Sequence, residues 1–72
     1  MDKTFRIVRR IHVTVWTQVA PGHWTSDREM WLQPGTVLTH RSGGDKQDMF
    51  ALADGTEIGI DHRDAACVAE IA

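Results

Sequence analysis

The chain is poor in cross-links and in punctuation. Among 72 residues there is one cysteine, no tyrosine and two prolines. A single thiol, Cys67, excludes an intrachain disulfide and fits a reducing compartment, so a cytoplasmic protein is expected. No apolar stretch approaches the roughly 18 residues a membrane span needs, and no charged segment followed by an apolar run opens the chain. No membrane association is therefore expected. Repeats, low-complexity tracts and linkers are absent too, and residues 1–72 read as one domain. A domain this small hides only about 60% of the surface its unfolded chain exposes. Such chains usually add disulfides, a metal, an oligomer contact or large aromatics. Here the first of these is ruled out, and a homodimer is left possible by the thin core.

Chemical motifs are equally scarce. The four histidines, His12, His23, His40 and His62, stand in no His-x-x-x-His spacing, and Cys-x-x-Cys is missing, so neither metal nor cofactor is expected. Gly43-Gly44-Asp45-Lys46 lacks the glycine and Ser/Thr spacing of a phosphate loop and reads as a solvated hairpin loop. Asp61-His62 with Asp64 hints at an imidazole oriented by a carboxylate, but no nucleophile accompanies it. Ser26 and Ser42 lie in turns without a glycine-framed elbow, and Cys67 reads as a small buried hydrophobe. An enzyme is not expected.

What is present concentrates in the first half. Phe5, Ile7, Ile11, Val13 and Val15 occupy odd positions, with Arg6, Val8, Arg10, His12 and Thr14 between them, the period of two of a strand with one buried face. Arg9 falls on the apolar side of that pattern, where a charge needs a partner or a place at the rim. The net charge of -2 conceals a balance of +3 over residues 1–26 and -5 over residues 27–72. Either the basic stripe is neutralised by acidic strands of the same fold, or it faces an anionic partner. Trp16, Trp24 and Trp31 share this half. Tryptophan fills small cores, but Trp16 has the parity of Arg6, Arg10 and His12, and Trp with Arg is the pair most enriched at binding hot spots.

A straight strand over residues 4–16 would run about 40 Å at roughly 3.3 Å per residue, so it must bend or serve two sets of neighbours. Pro21-Gly22 predicts a turn with positive φ at the glycine. Ser26 with Glu29 matches a helix capping box before Met30-Trp31-Leu32, but a strand with a polar bulge over residues 24–32 agrees better with the hairpin around it. Pro34-Gly35 leads into a strand over residues 36–40, a loop over 42–46, and a strand over 49–53. Asp54-Gly55 then predicts a primed hairpin turn into residues 56–60. Ala65, Val68, Ala69 and Ala72 recur at helical spacing, with Asp61 or His62 as a cap; a helical turn followed by a short strand over 68–71 is the alternative.

The long first arm, the Pro34-Gly35 entry, the Asp54-Gly55 meander and the terminal helical turn resemble the small SH3-like barrels, and OB-like barrels share much of that order. The resemblance implies a mainly β barrel of about five strands with a short C-terminal helical turn. It implies a fold only, because such barrels host unrelated functions. Two function classes follow from the residues. The first is a non-enzymatic regulator that docks on an acidic patch of a larger host complex, in the manner of a phage or mobile-element modulator of RNA polymerase or a defence complex. Its candidate contacts are Arg6, Arg9, Arg10, His12, Trp16 and Trp24. The second is a nucleic-acid-binding barrel using the same Arg/Trp face, against which stands a pI near 6.0.

Overall fold

In the computed structural model, residues 3–71 are described, and for Asp27 the backbone alone. Strands β1 (Thr4–Ile7), β2 (Ile11–Ala20), β3 (His23–Leu32), β4 (Val37–Ser42), β5 (Gln47–Ala51) and β6 (Glu57–Asp61) lead to a 3-10 helix, His62–Cys67, and β7 (Val68–Glu70). All strand pairs are antiparallel, in the order β3-β2-β6-β5-β4-β1-β7. Strands take 62% of the described residues and helix 9%, so the molecule is mainly β as the sequence implies. The expected closed barrel of about five strands is not what forms. Seven strands make one curled sheet, and its end strands β3 and β7 do not pair with each other.

The first arm bends, and where it bends resolves the Arg9 problem. Three residues, 8–10, separate β1 from β2; β1 pairs with β4 and β7, whereas β2 pairs with β3 and β6. A straight arm of about 40 Å would exceed the longest dimension of the molecule, 34 Å. The corner is tied down by main-chain bonds: Ile7 N–H donates to Thr36 O (2.9 Å), Gly35 N–H to Ile7 O (2.8 Å) and Val8 N–H to Cys67 O (2.8 Å). Arg9 sits in this bend, exposed, and not on the apolar face.

On either side of the corner the period of two holds. Ile7, Ile11, Val13 and Val15 are buried with Leu32, Leu38, Phe50, Ile58 and Ile60, and Phe5, Met30, Leu52, Cys67 and Val68 pack against them. Ile58 and Leu38 are fully enclosed. Full burial of one such side chain contributes roughly 1.5–3 kcal/mol.

One local expectation holds and two change. Ser26 and Glu29 lie in β3, so the capping box is unused, and the polar bulge is real: Val15 pairs with Arg28 but Thr17 with Thr25, leaving two β3 residues opposite Trp16. The Asp54-Gly55 turn is not primed, because Asp54 does not adopt positive φ. Instead Gly55 (φ 90°) closes a three-residue loop, with Gly55 N–H donating to Leu52 O and Leu52 N–H to Thr56 O, both 2.9 Å. Asp54 Oδ1 accepts Thr56 N–H at 2.9 Å, which holds its carboxyl below the usual range and favours this loop. At the C-terminus the alternative reading is the one observed. The 3-10 helix ends at Cys67, and residues 68–70 pair with β1, whose edge would otherwise be open. Asp61 precedes the helix without capping it through its side chain. Ala72, the last residue of the helical spacing, lies outside the described residues.

Candidate binding face

With Ile11, Val13 and Val15 turned into the core, His12, Thr14 and Trp16 stand on the outer face of β2. Directly paired residues of antiparallel strands share a face. The register sets Trp31 opposite His12, Glu29 opposite Thr14 and Trp24 opposite Gln18. All three tryptophans therefore stand on one face of the β2-β3 hairpin. Trp24 and Trp31 are seven residues apart and would fall on opposite sides of a regular strand; the bulge supplies the extra residue that reverses the parity.

The face has two ends of different chemistry. At one, the Arg10 guanidinium lies 4.1 Å from the Trp31 ring centroid, and the His12 ring lies 4.8 Å from Trp31 at 32°. His12 Nδ1 is 3.6 Å from Glu29 Oε1. Trp31 remains 51% exposed, so the stacked cluster still offers area to a partner. At the other end Trp16, Trp24, Met49, Ser42 and the Arg41–Glu57 pair (3.6 Å) line a hollow of about 350 Å³. Trp24 is 46% exposed there.

Gly59 of β6 is the floor between the two ends. A Cβ at this position would stand 2.8 Å from Trp16 Nε1 and closer still to Gln47 Oε1. Glycine thus lets the indole and the amide lie flat on the sheet. Gln47 Nε2 donates to Asp61 Oδ1 (2.7 Å), whose second oxygen is 3.1 Å from Arg63 Nε. Trp16 Nε1 is buried with no hydrogen-bond partner among the described residues.

The candidate residues from the sequence separate into groups. Arg10 and His12 meet Trp31, which sequence reasoning did not select because only the register with β2 reveals its face. Trp16 and Trp24 meet at the hollow. Arg6 lies on β1, with β4, β5 and β6 between it and β2 in the sheet, and Arg9 lies in the bend. Arg6, Arg9 and Arg10 form no ion pair among the described residues.

The histidine expected to lean on its neighbours does otherwise. His62 Nε2 lies 2.9 Å from Asp48 Oδ1, not on Asp61 or Asp64, and His40 Nε2 lies 3.5 Å from Asp48 Oδ2. The bond from His62, with a backbone bond from Gly44, holds the Asp48 carboxyl below the usual carboxylate range. Cys67 is half-buried against the core. Among the described residues no group of three or more His, Cys, Asp or Glu side chains is arranged to hold a metal ion, and no helix is long and apolar enough to cross a membrane.

No protein-family model matches the chain, and neither a curated protein nor a solved structure matches it.

Proposed function

We propose that this protein is a non-catalytic binding module that docks stoichiometrically, through the outer face of the β2-β3 hairpin, on an acidic patch of a larger protein complex and modulates it. The observation that carries this reading is the convergence of three tryptophans on that face, two of them about half exposed, with Arg10 stacked on one. Trp and Arg in a partly desolvated cluster are what dominates binding energy at protein interfaces. The stacked guanidinium keeps its donors free for a forked carboxylate contact. In architecture we take the sheet as SH3-like with an open seam between β3 and β7, on its long hairpin, meander and helical turn before the last strand.

Protein is favoured over nucleic acid by the carboxylates on the same face. Glu29, Glu57 and Asp61 stand among the tryptophans, so a phosphate backbone, anionic at every nucleotide, meets them wherever it lies, whereas a protein patch can set single carboxylates at Arg10 and other side chains against these three. The test is affinity capture from a host lysate with the wild-type protein and with Arg10→Glu/Trp31→Ala, each with and without nuclease. One defined protein complex, retained by wild type after digestion and lost by the variant, supports the reading. Loss of the captured species on digestion transfers the face to nucleic acid.

A further inference from the structure

The sheet ends in two edges of unequal kind. β7 is three residues long, whereas β3 has ten and pairs on one side only, with β2. An unpaired edge presents a row of main-chain donors and acceptors, and folded proteins usually blunt it. Here the blunting is partial. The register with β2 is irregular between the turn and Arg28, but residues 28–32 pair with residues 15–11 with no shift. That leaves one regular segment of five residues, the length of a typical strand, with alternate main-chain groups directed away from β2. Its side chains divide by face. Arg28, Met30 and Leu32 lie opposite Val15, Val13 and Ile11 on the core side, and Glu29 and Trp31 lie opposite Thr14 and His12 on the outer side.

A second copy joined edge to edge about a two-fold axis normal to the sheet keeps each face continuous, so opposed residues share a face and the axis must pass through a residue. Charge then decides among the registers. Centred on Arg28 or Glu29, the pair sets a charge against its own copy. Centred on Trp31, it brings together two rings that each carry an Arg10 guanidinium 4.1 Å from the centroid, cation beside cation. Centred on Leu32, it runs past the end of the strand. Centred on Met30, it sets Glu29 opposite Trp31 of the other copy at both ends, so that each carboxylate faces the ring on which the other copy's Arg10 is stacked. On the core side this register places Arg28 opposite Leu32, and no like charges are directly opposed.

We propose that this protein forms a two-fold dimer through residues 28–32 of β3, centred on Met30 and held in register by Glu29 of each copy against Arg10 and Trp31 of the other. The occupant follows from the charges of the segment itself. On its outer side it carries one anion, Glu29, and, through Arg10, one cation, so a strand of a single sign meets like charge at one of them. A second copy supplies both signs in the required order. A chain of 72 residues with a single cysteine is reinforced by no internal disulfide, and an oligomer contact is among the devices such domains use instead. The pairing goes beyond the docking reading and leaves room for it. Main-chain bonds use the edge and leave the outer face open, a guanidinium has donors beyond those one carboxylate takes, and the joined sheet carries two Arg10–Trp31 clusters side by side.

The test is sedimentation velocity over a dilution series with wild type, Glu29→Arg, Arg10→Glu and an equimolar mixture of the two variants. A contact made by one short strand belongs with the weak, dissociable interfaces, so wild type is expected to pass from monomer to dimer as concentration rises. Each variant alone sets like charges at both contacts and should dissociate at least about tenfold more readily. In the mixture the new arginine of one variant meets the new glutamate of the other, and the unaltered Glu29 and Arg10 meet as before. Association should then return to within about threefold of wild type, and that recovery shows that both variants are folded. Amide hydrogen exchange in wild type gives a reading that needs no variant: alternate amides of residues 28–32 should exchange more slowly as concentration rises. Wild type that stays monomeric throughout, variants that associate as wild type does, a mixture of folded variants that stays dissociated, or exchange at residues 28–32 that ignores concentration overturns the proposal.

Discussion

Gly59→Ala is the substitution whose consequence the structure defines most sharply. The position is buried at the centre of β6 and pairs with Thr14 on one side and Met49 on the other. Its backbone is not in the left-handed region, so alanine meets no conformational obstacle there. What it meets is Gln47 Oε1 and, at 2.8 Å, Trp16 Nε1. The Gln47 amide is flexible and will swing away, giving up its 2.7 Å bond to the Asp61 carboxylate. A hydrogen bond to a charged group contributes about 1.5–3 kcal/mol, and part exposure puts this one near the lower figure. The indole is rigid and must tilt, which at the low end of overpacking costs about 1 kcal/mol. Replacing glycine restores about 0.4–1 kcal/mol by restricting the unfolded chain. The net is roughly 2 kcal/mol of destabilisation, or about 8–16 °C in Tm for a domain of this size. Thermal unfolding followed by circular dichroism measures it. In a Gln47→Ala background the same substitution should cost only about 0.5 kcal/mol, since the bond to Asp61 is already gone. If Gly59→Ala is neutral or stabilising, Trp16 and Gln47 do not lie across β6 and the floor of the candidate face is wrongly described.

Other perturbations test other parts of the account. Arg9→Ala, in an exposed bend, should change stability by no more than about 0.5 kcal/mol; a loss above 2 kcal/mol in denaturant titration would place Arg9 inside the fold. Ile58→Ala empties a fully enclosed position, and a cost of about 2–5 kcal/mol would leave much of so small a domain unfolded at 37 °C, visible as lost chemical-shift dispersion. For Asp48→Asn the sign follows from a carboxyl held below its ordinary value, which contributes stability above that value and loses it as pH falls through the folded one. Wild type should exceed the variant at pH 5 by about 1 kcal/mol at most, given the exposure of the pair. The difference should close below the ordinary value of 3.8. A gap that persists at pH 2 would show that charge is not its source.

Residues 11–15 and the pair Ile58 and Ile60 announce their burial by alternation alone, and the turn at Pro21-Gly22 follows from φ restrictions that act within two residues, with Gly22 at φ 76°. The bend at residues 8–10 carries no comparable local mark. It exists because β1 and β2 find partners at different places in the sheet, information that lies in β4, β6 and β7. The candidate face is legible in its β2 half, His12 and Trp16, and illegible in its β3 half. One bulged residue near Ser26 changes which side Trp31 occupies, and nothing in residues 24–31 fixes that count without the opposing strand. The C-terminal segment misleads for another reason: Ala65, Val68 and Ala69 suit helical spacing, but main-chain pairing with the open edge of β1 outweighs so weak a preference. Asp48 draws His40 and His62 from either side of the sequence, a contact no spacing rule anticipates.

The central claim is that the tryptophan face with Arg10 is where this protein meets its partner. Its most direct measurement is the affinity of the captured, nuclease-treated complex for three purified forms: wild type, Arg10→Glu/Trp31→Ala, and Lys46→Glu as an exposed control on the β4-β5 loop. Hot-spot residues of this kind carry about 2 kcal/mol or more each. The double variant should therefore bind at least about 100-fold more weakly while melting as a folded domain, and the control should match wild type. Undiminished affinity in the double variant would contradict the account.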